Sequence, residues 1–330
     1  MTTTTALPAP TSSFTRLRRR HGWLAGVVVL LIVFVVLRAT QIPNFGGFEL
    51  RTILAGSMAL AFLAMAQGVV VISGGINIAV GALMVFANCL AARFMLEQDA
   101  LTATLIAVAV IAVCAIISGI MGLVITISGV PDIIVTLALS FVIGGMALLV
   151  LPAPGGGIPL ELQPLIVGGF SDPLPAVLWL TIAFVAIWLP FKRSRWGIAT
   201  YAVGSQRNAS YLSGVNVANT RIRAYVLSGV FVGMAGIVTT AFTGGGEPRA
   251  SIGLAALLSS VAAVVLGGVA LTGGSGGLLG PILAALILSL IPAIMLGFGW
   301  NPNYAEVARG AILILVVMFG GYIQMRKRTT

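Results

Sequence analysis

Residues 101–127 read LTATLIAVAVIAVCAIISGIMGLVITI, without one Asp, Glu, Lys, Arg or His. A helix needs about 20 apolar residues to cross the hydrocarbon core of a bilayer, and this run exceeds that. The rest of the 330-residue chain has the same character: 59% of positions are hydrophobic, 8% are charged, and the mean hydropathy is +1.11. A soluble domain carries about 25% charged residues. A chain this poor in charge cannot coat a globule of its own size, so its surplus apolar surface faces lipid. The fold class is an all-α polytopic membrane protein.

Working outward from that run, the hydropathy pattern places spans near 23–38, 52–73, 78–96, 101–127, 132–151, 175–191, 222–243, 250–271, 277–298 and 305–323. That makes about ten transmembrane helices. Loops rich in Lys and Arg stay cytoplasmic. With an even span count both termini share a side, and 13 of the 18 basic residues fall there: Arg16, Arg18, Arg19, Arg20, Lys192, Arg193, Arg195, Arg207, Arg221, Arg223, Arg326, Lys327 and Arg328. The expected organisation is a basic, disordered cytoplasmic N-terminus over 1–22, one permeating domain over 23–323, and a basic cytoplasmic tail over 324–330. The longest polar segment, a cytoplasmic loop over 192–221, lies within that domain. The longest outer loop, 152–175, is rich in Pro and Gly.

The net charge of +10 is accounted for by this bias rather than by a nucleic-acid face. Cys89 and Cys114 lie in apolar runs without metal-ligand spacing, and the sole histidine, His21, closes a basic cluster. No small-residue cleavage pattern follows Arg38, so the first span is read as retained. With no nucleophile, metal or acid–base constellation, a membrane-embedded enzyme is disfavoured. Span interiors hold no charged residue except near their ends, which disfavours an ion-driven secondary transporter or channel, the alternative class.

Gly-Gly pairs interrupt or end apolar runs at Gly74–Gly75, Gly144–Gly145, Gly267–Gly268, Gly273–Gly274 and Gly276–Gly277. Irregular backbone within a bilayer needs protein or a watered path to satisfy it, and small residues also let helices approach closely. Two stretches share a pattern of apolar run, Gly-Gly, short polar segment and second apolar run: VVVISGGINIAVGALMVF (69–86) and AVVLGGVALTGGSGGLLGPILAAL (263–286). Such breaks at corresponding places point to a transport path, here through Gly74, Gly75, Asn77, Asn88, Gly267 and Gly268. Asn, Ser and Thr along it suit an uncharged polar solute.

The segment YAVGSQRNASYLSGVNVANTRIRAYVLSG, 201–229, is the most distinctive. Asn208 is expected to cap a short helix running to Leu212 or Ser213, with Gly214 ending it and a second helix starting near Asn219. Ala209, Tyr211, Leu212 and Val215 would give it an apolar face for a partner's groove. Residues 201–215 resemble the cytoplasmic coupling segment of permeases from ribose-type ABC sugar importers, the branch that includes xylose, arabinose and galactoside permeases. SGGINIAVGALMVFA (73–87), VPDIIVTLAL (130–139) and AAVVLGGVALTGGSGGLLGPILAALI (262–287) resemble further blocks of that family in the same order.

The resemblance implies the ABC importer permease fold in the bacterial cytoplasmic membrane. It implies a second permease chain, a cytoplasmic ABC ATPase subunit and an extracytoplasmic solute-binding protein as partners. The chain itself would bind no cofactor; ATP and Mg would sit on the ATPase. Gly204, Ser205, Asn208, Ala209, Tyr211, Leu212, Ser213 and Gly214 would form the coupling element. A monosaccharide or related polyol is the solute class implied. The chain departs from the family pattern at Asn77, Leu257 and Ser259, where acids are usual, which fits an unusual solute or one half of a heterodimer. On the outer face, Arg51, Arg249 and Arg309 are candidates for docking the binding protein, and Glu306 and Arg309 are spaced to pair on one helix face.

Overall fold

The computed structural model describes residues 13–42 and 45–301, with positions 304, 307, 310, 311, 314 and 318. The chain order is α1 (Ser13–Gln41), α2 (Gly47–Ile72), α3 (Val80–Met95), α4 (Ala100–Ser128), α5 (Asp132–Val150) and the short α6 (Gln163–Val167). There follow α7 (Leu174–Ile182), a π-helical segment (Ala183–Trp188), α8 (Leu189–Arg193), α9 (Arg195–Ser205), α10 (Arg207–Leu212), α11 (Val217–Thr243), α12 (Ala250–Leu266) and α13 (Leu279–Gly297). Among the described residues the sole β-type pairing is one bridge between Gly155 and Gly246.

Seven of these helical stretches are long and apolar enough to cross a membrane: Trp23–Gln41, Gly47–Ile72, Ala100–Ser128, Asp132–Val150, Leu174–Arg193, Val217–Thr243 and Leu279–Gly297. Val80–Met95 and Ala250–Leu266 are apolar but shorter. The last expected span, 305–323, and the basic tail fall largely outside the described residues. Among the described residues, then, nine of the ten expected spans correspond to apolar helices, seven of them of full spanning length and two shorter.

The central run, α4, shows how sequence becomes architecture. Asp99 caps it by accepting from the Leu101 and Thr102 amides at 3.1 Å each, and Gly129 ends it with φ +68°, a left-handed turn that costs glycine little. Leu101, Leu105, Val108, Ile116, Ile120 and Ile127 point outward, whereas Ala103, Val110, Cys114, Ser118, Met121 and Ile125 are buried. The outward side is large and apolar, as lipid contact requires, and the inward side is mostly smaller. That inward side meets α11, where Gly229 and Gly233 form a GxxxG pair. A Cβ on Gly233 would lie 2.7 Å from the Ile111 Cα, and one on Gly229 2.7 Å from the Ala115 Cα. Backbone thus packs on backbone, the means by which helices associate in lipid without a hydrophobic drive.

Helices α2 and α11 form the buried centre; α11 touches α4, α2 and α3, while α2 also touches α12 and α13. Helix α1 lies on α13, and α5 on α3. The span from Leu174 to Arg193 carries Pro190, which has no N–H to donate, and the preceding turn widens into the π segment. Trp188 fills that turn, buried, with its ring 6.0 Å from Phe191.

Two helix ends depart from the sequence expectation. The span expected to run to 271 stops at Leu266, because Gly267 and Gly268 turn the chain. The helix expected near Asn219 begins at Val217, capped by Asn216, whose side chain accepts from the Asn219 amide at 2.9 Å.

Candidate functional site

At one end of the bundle three glycine-rich segments converge. Helix α2 ends in a Schellman turn: Gly74 has φ +81°, and the Gly75 amide reaches back to the Val70 carbonyl at 3.0 Å. Helix α12 ends in the same way, with Gly268 at φ +80° and the Val269 amide on the Val264 carbonyl at 3.1 Å. The two Gly-Gly breaks therefore share a geometry, although the left-handed glycine is the first of the pair in one and the second in the other. The aligned partner of Gly74 is Gly268, and that of Ser73 is Gly267.

The third segment is the end of α9. The Gly74 turn packs on the Gly204 backbone, with the position of a Gly74 Cβ 3.3 Å from the Gly204 Cα. A Cβ on Gly204 would collide with the Ile72 carbonyl oxygen and lie 2.6 Å from the Gly274 amide nitrogen. Those last two groups are bonded to one another across the junction, Gly274 N to Ile72 O at 2.9 Å. Side chains of the same segment tie in further. The Arg207 guanidinium donates to the Gly74 carbonyl at 2.8 Å, and the Tyr201 hydroxyl to the Gly276 carbonyl at 2.8 Å. The Ser205 hydroxyl donates to the Tyr201 carbonyl at 2.9 Å, with a longer approach to the Gly274 carbonyl at 3.4 Å.

Helix α10 projects from this junction. Its N-cap is Gln206, in extended conformation and without a side-chain cap, so the capping role expected of Asn208 is not realised; Asn208 is the second residue of the helix. Gly214 closes it at φ +81° with the Val215 amide on the Ser210 carbonyl at 3.0 Å, as expected. Tyr211 and Leu212 are 72% and 84% exposed, a costly display of apolar surface unless something covers it. Asn208, Ala209 and Ser213 are also exposed, while Ser210 faces inward.

Behind α10 lies a cavity of about 1190 Å³, lined in part by Gly74, Gly75, Asp132, Arg207, Tyr211 and Arg221. Its back wall holds a buried ion pair. Arg221 of α11 donates to the Asp132 carboxylate at the start of α5, and the Tyr225 hydroxyl donates to the other carboxylate oxygen at 3.1 Å. The carboxylate also abuts the Gly75 backbone. Burial and the nearby Arg221 pull Arg207 below its ordinary value, and Asp132 acts in the opposite direction. In the sequence Asp132 is a single acid after Pro131 and resembles an ordinary helix-start residue. One signal was available: it is the sole acid between Asp99 and Glu161. Residues 173–246, which include Arg221, contain no acid at all.

The remaining path candidates separate. Asn77 is buried beside the α2 turn, its Oδ1 accepting from the Ala79 amide at 3.0 Å, and its Nδ2 has no partner among the described residues. The Ile78 amide donates to Thr136 at 3.1 Å, pinning this turn to α5. Gly267 packs against Gly280 and Pro281, and Gly268 against Trp23, whose indole donates to the Leu266 carbonyl at 2.8 Å. Asn88 sits at the opposite end of the bundle. Its amide donates to Thr240 at 2.9 Å and to the Gly245 carbonyl at 3.1 Å, and it accepts from the Glu247 amide at 2.8 Å. There Gly155 and Gly246 exchange two backbone bonds of 3.1 and 2.8 Å, and the Gly157 amide bonds to the Ala92 carbonyl at 2.9 Å. The far end is thus strapped shut by side-chain and backbone bonds.

Of the arginines expected on the outer face, Arg51 donates to the Gly168 carbonyl at 3.2 Å. Arg249 is exposed and paired with Glu247, which it holds below the ordinary carboxylate range. Arg309 and Glu306 lie outside the described residues.

Comparison with known proteins agrees with this architecture. The chain is 29% identical over 298 residues to the ribose import permease protein RbsC of Escherichia coli (strain K12), covering 88% of this chain and 91% of that protein. It is 28% identical over 318 residues to RbsC of Bacillus subtilis (strain 168), covering 92% and 94%. Over 200 residues it is 34% identical to the L-arabinose transport system permease protein AraH of Escherichia coli (strain K12), covering 60% of each. No solved structure matches the chain. The profile of the family described as "Branched-chain amino acid transport system / permease component" matches residues 50–317, and the chain, a multi-pass membrane protein, belongs to that permease family.

Proposed function

We propose that this chain is the membrane-spanning permease subunit of an ABC importer. It would receive a sugar or related small polar solute from an extracytoplasmic binding protein, and a separate ATPase subunit would drive it. The relatives named for ribose and arabinose transport support the solute class. In this reading the α10 end faces the cytoplasm with both termini, and Gly204 to Gly214 form the element that a cleft of the ATPase grips.

The observation that carries the proposal is the glycine junction. A displacement of α10 passes through Arg207 and Gly204 directly into the turn that ends α2 and, through Gly274, into the loop that follows α12. Both broken segments are thereby mechanically joined to the exposed helix. An ion-driven secondary carrier would need a carboxylate free to exchange its ion. Asp132 is already held by Arg221 and Tyr225, which favours the ATP-driven reading.

The test is Leu212→Asp in permease reconstituted with its ATPase and binding protein. Because Leu212 is exposed, the chain keeps its thermal stability, while solute uptake per ATP hydrolysed falls at least tenfold. Unchanged uptake in a stably folded Leu212→Asp permease would refute the assignment.

A further inference from the structure

We propose that the elbow between α8 and α9 holds the phosphate of an anionic phospholipid. Lys192, Arg193 and Arg195 are consecutive cations around the Ser194 cap, and Arg223 of α11 joins them by stacking its guanidinium 4.9 Å from the centre of the Trp196 ring. All four are exposed, and none takes part in an ion pair among the described residues. Their chain neighbours cannot neutralise them, because residues 173–246 contain no acid.

Position selects a lipid over other anions. The span Leu174–Arg193 has 20 residues, about 30 Å of helix at 1.5 Å per residue, so its last residues emerge at the headgroup level. Indole rings favour that level, and Trp196 presents its ring there. Beside two of the cations lie exposed aliphatic side chains. Ile198, three residues from Arg195, is 65% exposed, and Val226, three residues from Arg223, is 37% exposed. Residues three apart on a helix share a face. Arg195 and Arg223 therefore each share a helix face with an uncovered aliphatic side chain, an arrangement suited to seating a headgroup beside its acyl chains. Stacking on Trp196 fixes the Arg223 plane and leaves its N–H edge free for phosphate oxygens.

Native mass spectrometry of the full-length chain in mild detergent, with phosphatidylglycerol or phosphatidylcholine added, tests this. The wild type should retain phosphatidylglycerol preferentially. The R193Q/R195Q/R223Q variant should retain it on the order of a hundredfold less, at about 1 kcal/mol per surface cation, with an unchanged melting temperature. The R193K/R195K/R223K variant should keep most of the retention. Excess inorganic phosphate should not displace the lipid, because its acyl chains remain packed on the apolar surface. Equal retention of the two lipids, undiminished retention in the glutamine variant, or displacement by free phosphate would each overturn the proposal. So would loss of ATPase co-purification in the glutamine variant with lipid retention unchanged, since the patch would then serve a protein partner.

Discussion

Replacing Gly204 with alanine adds one methyl group at the point where α9, the α2 turn and the 267–278 loop meet. The new Cβ would lie 2.6 Å from the Gly274 nitrogen, where ordinary contact begins near 3.4 Å, and closer still to the Ile72 carbonyl oxygen. All the opposing atoms are backbone, so no side chain can swing away, and the segments must part by about 0.8 Å or more. That movement strains the Gly274–Ile72 hydrogen bond. Overpacking costs about 1–3 kcal/mol, and a lost hydrogen bond adds about 0.5–1.5 kcal/mol, for an expected loss of about 2–4 kcal/mol. The melting temperature of the purified permease should fall by several degrees, and uptake per ATP should fall further than stability explains. Gly144→Ala is the internal control. Its Cβ would meet nothing within 4 Å and it lies inside α5, so alanine there should be neutral or mildly stabilising. Wild-type stability and coupling in Gly204→Ala would refute the mechanical role of the junction.

Asp132→Ala strands the buried Arg221 charge and should cost about 3–5 kcal/mol, seen as a large drop in melting temperature; Asp132→Ala combined with Arg221→Leu should recover much of it. Asn88→Leu removes three hydrogen bonds and should cost about 2–4 kcal/mol, with faster proteolysis of the loop after Leu151 as the local readout. Asp99 is held below its ordinary range chiefly by its bond to Thr102. The stability it adds is therefore present above the usual Asp value and is lost as pH falls through the lowered one. The melting-temperature gap between wild type and Asp99→Asn should shrink on acidification, and a gap independent of pH would contradict the capping assignment.

The membrane class, the broken segments and the exposed short helix were legible because each rests on local signals. Apolar length marks a span, and paired glycines mark a turn whatever surrounds them. The end of the short helix at Gly214 followed from its neighbours in sequence alone. Tertiary pairing was not legible. Asp132 and Arg221 are 89 residues apart, and nothing in either one's surroundings names the other. The cap expected of Asn208 went to Gln206 because the end of α9 leaves the chain extended there, and that end is fixed by packing on Gly74 rather than by local propensity. Asn88 read as a polar residue on a path, yet its partners Thr240, Gly245 and Glu247 come from a segment more than 150 residues later.

The two ends of the bundle are built to different specifications, and this bears on how α10 could work. At the far end, one buried amide and a reciprocal backbone bridge lock three segments, so opening it breaks several bonds together. At the α10 end, the hydrogen bonds among the described residues that cross from α10 and the 267–278 loop to the α2 turn are Arg207 to Gly74 and Gly274 to Ile72. Tyr201 and Ser205 tie α9 to the 267–278 loop rather than to the α2 turn, where the close contact is Gly74 backbone on Gly204 backbone. Beside it lies the large cavity, where Arg207 is already partly desolvated. Breaking two such bonds costs about 1–3 kcal/mol when neutral and somewhat more for the charged donor. A partner that grips Tyr211 and Leu212 can supply energy of that order by burying them. On the proposed reading, the energy gained by burying this apolar pair is matched in scale to those two bonds, so docking on α10 would move the α2 turn.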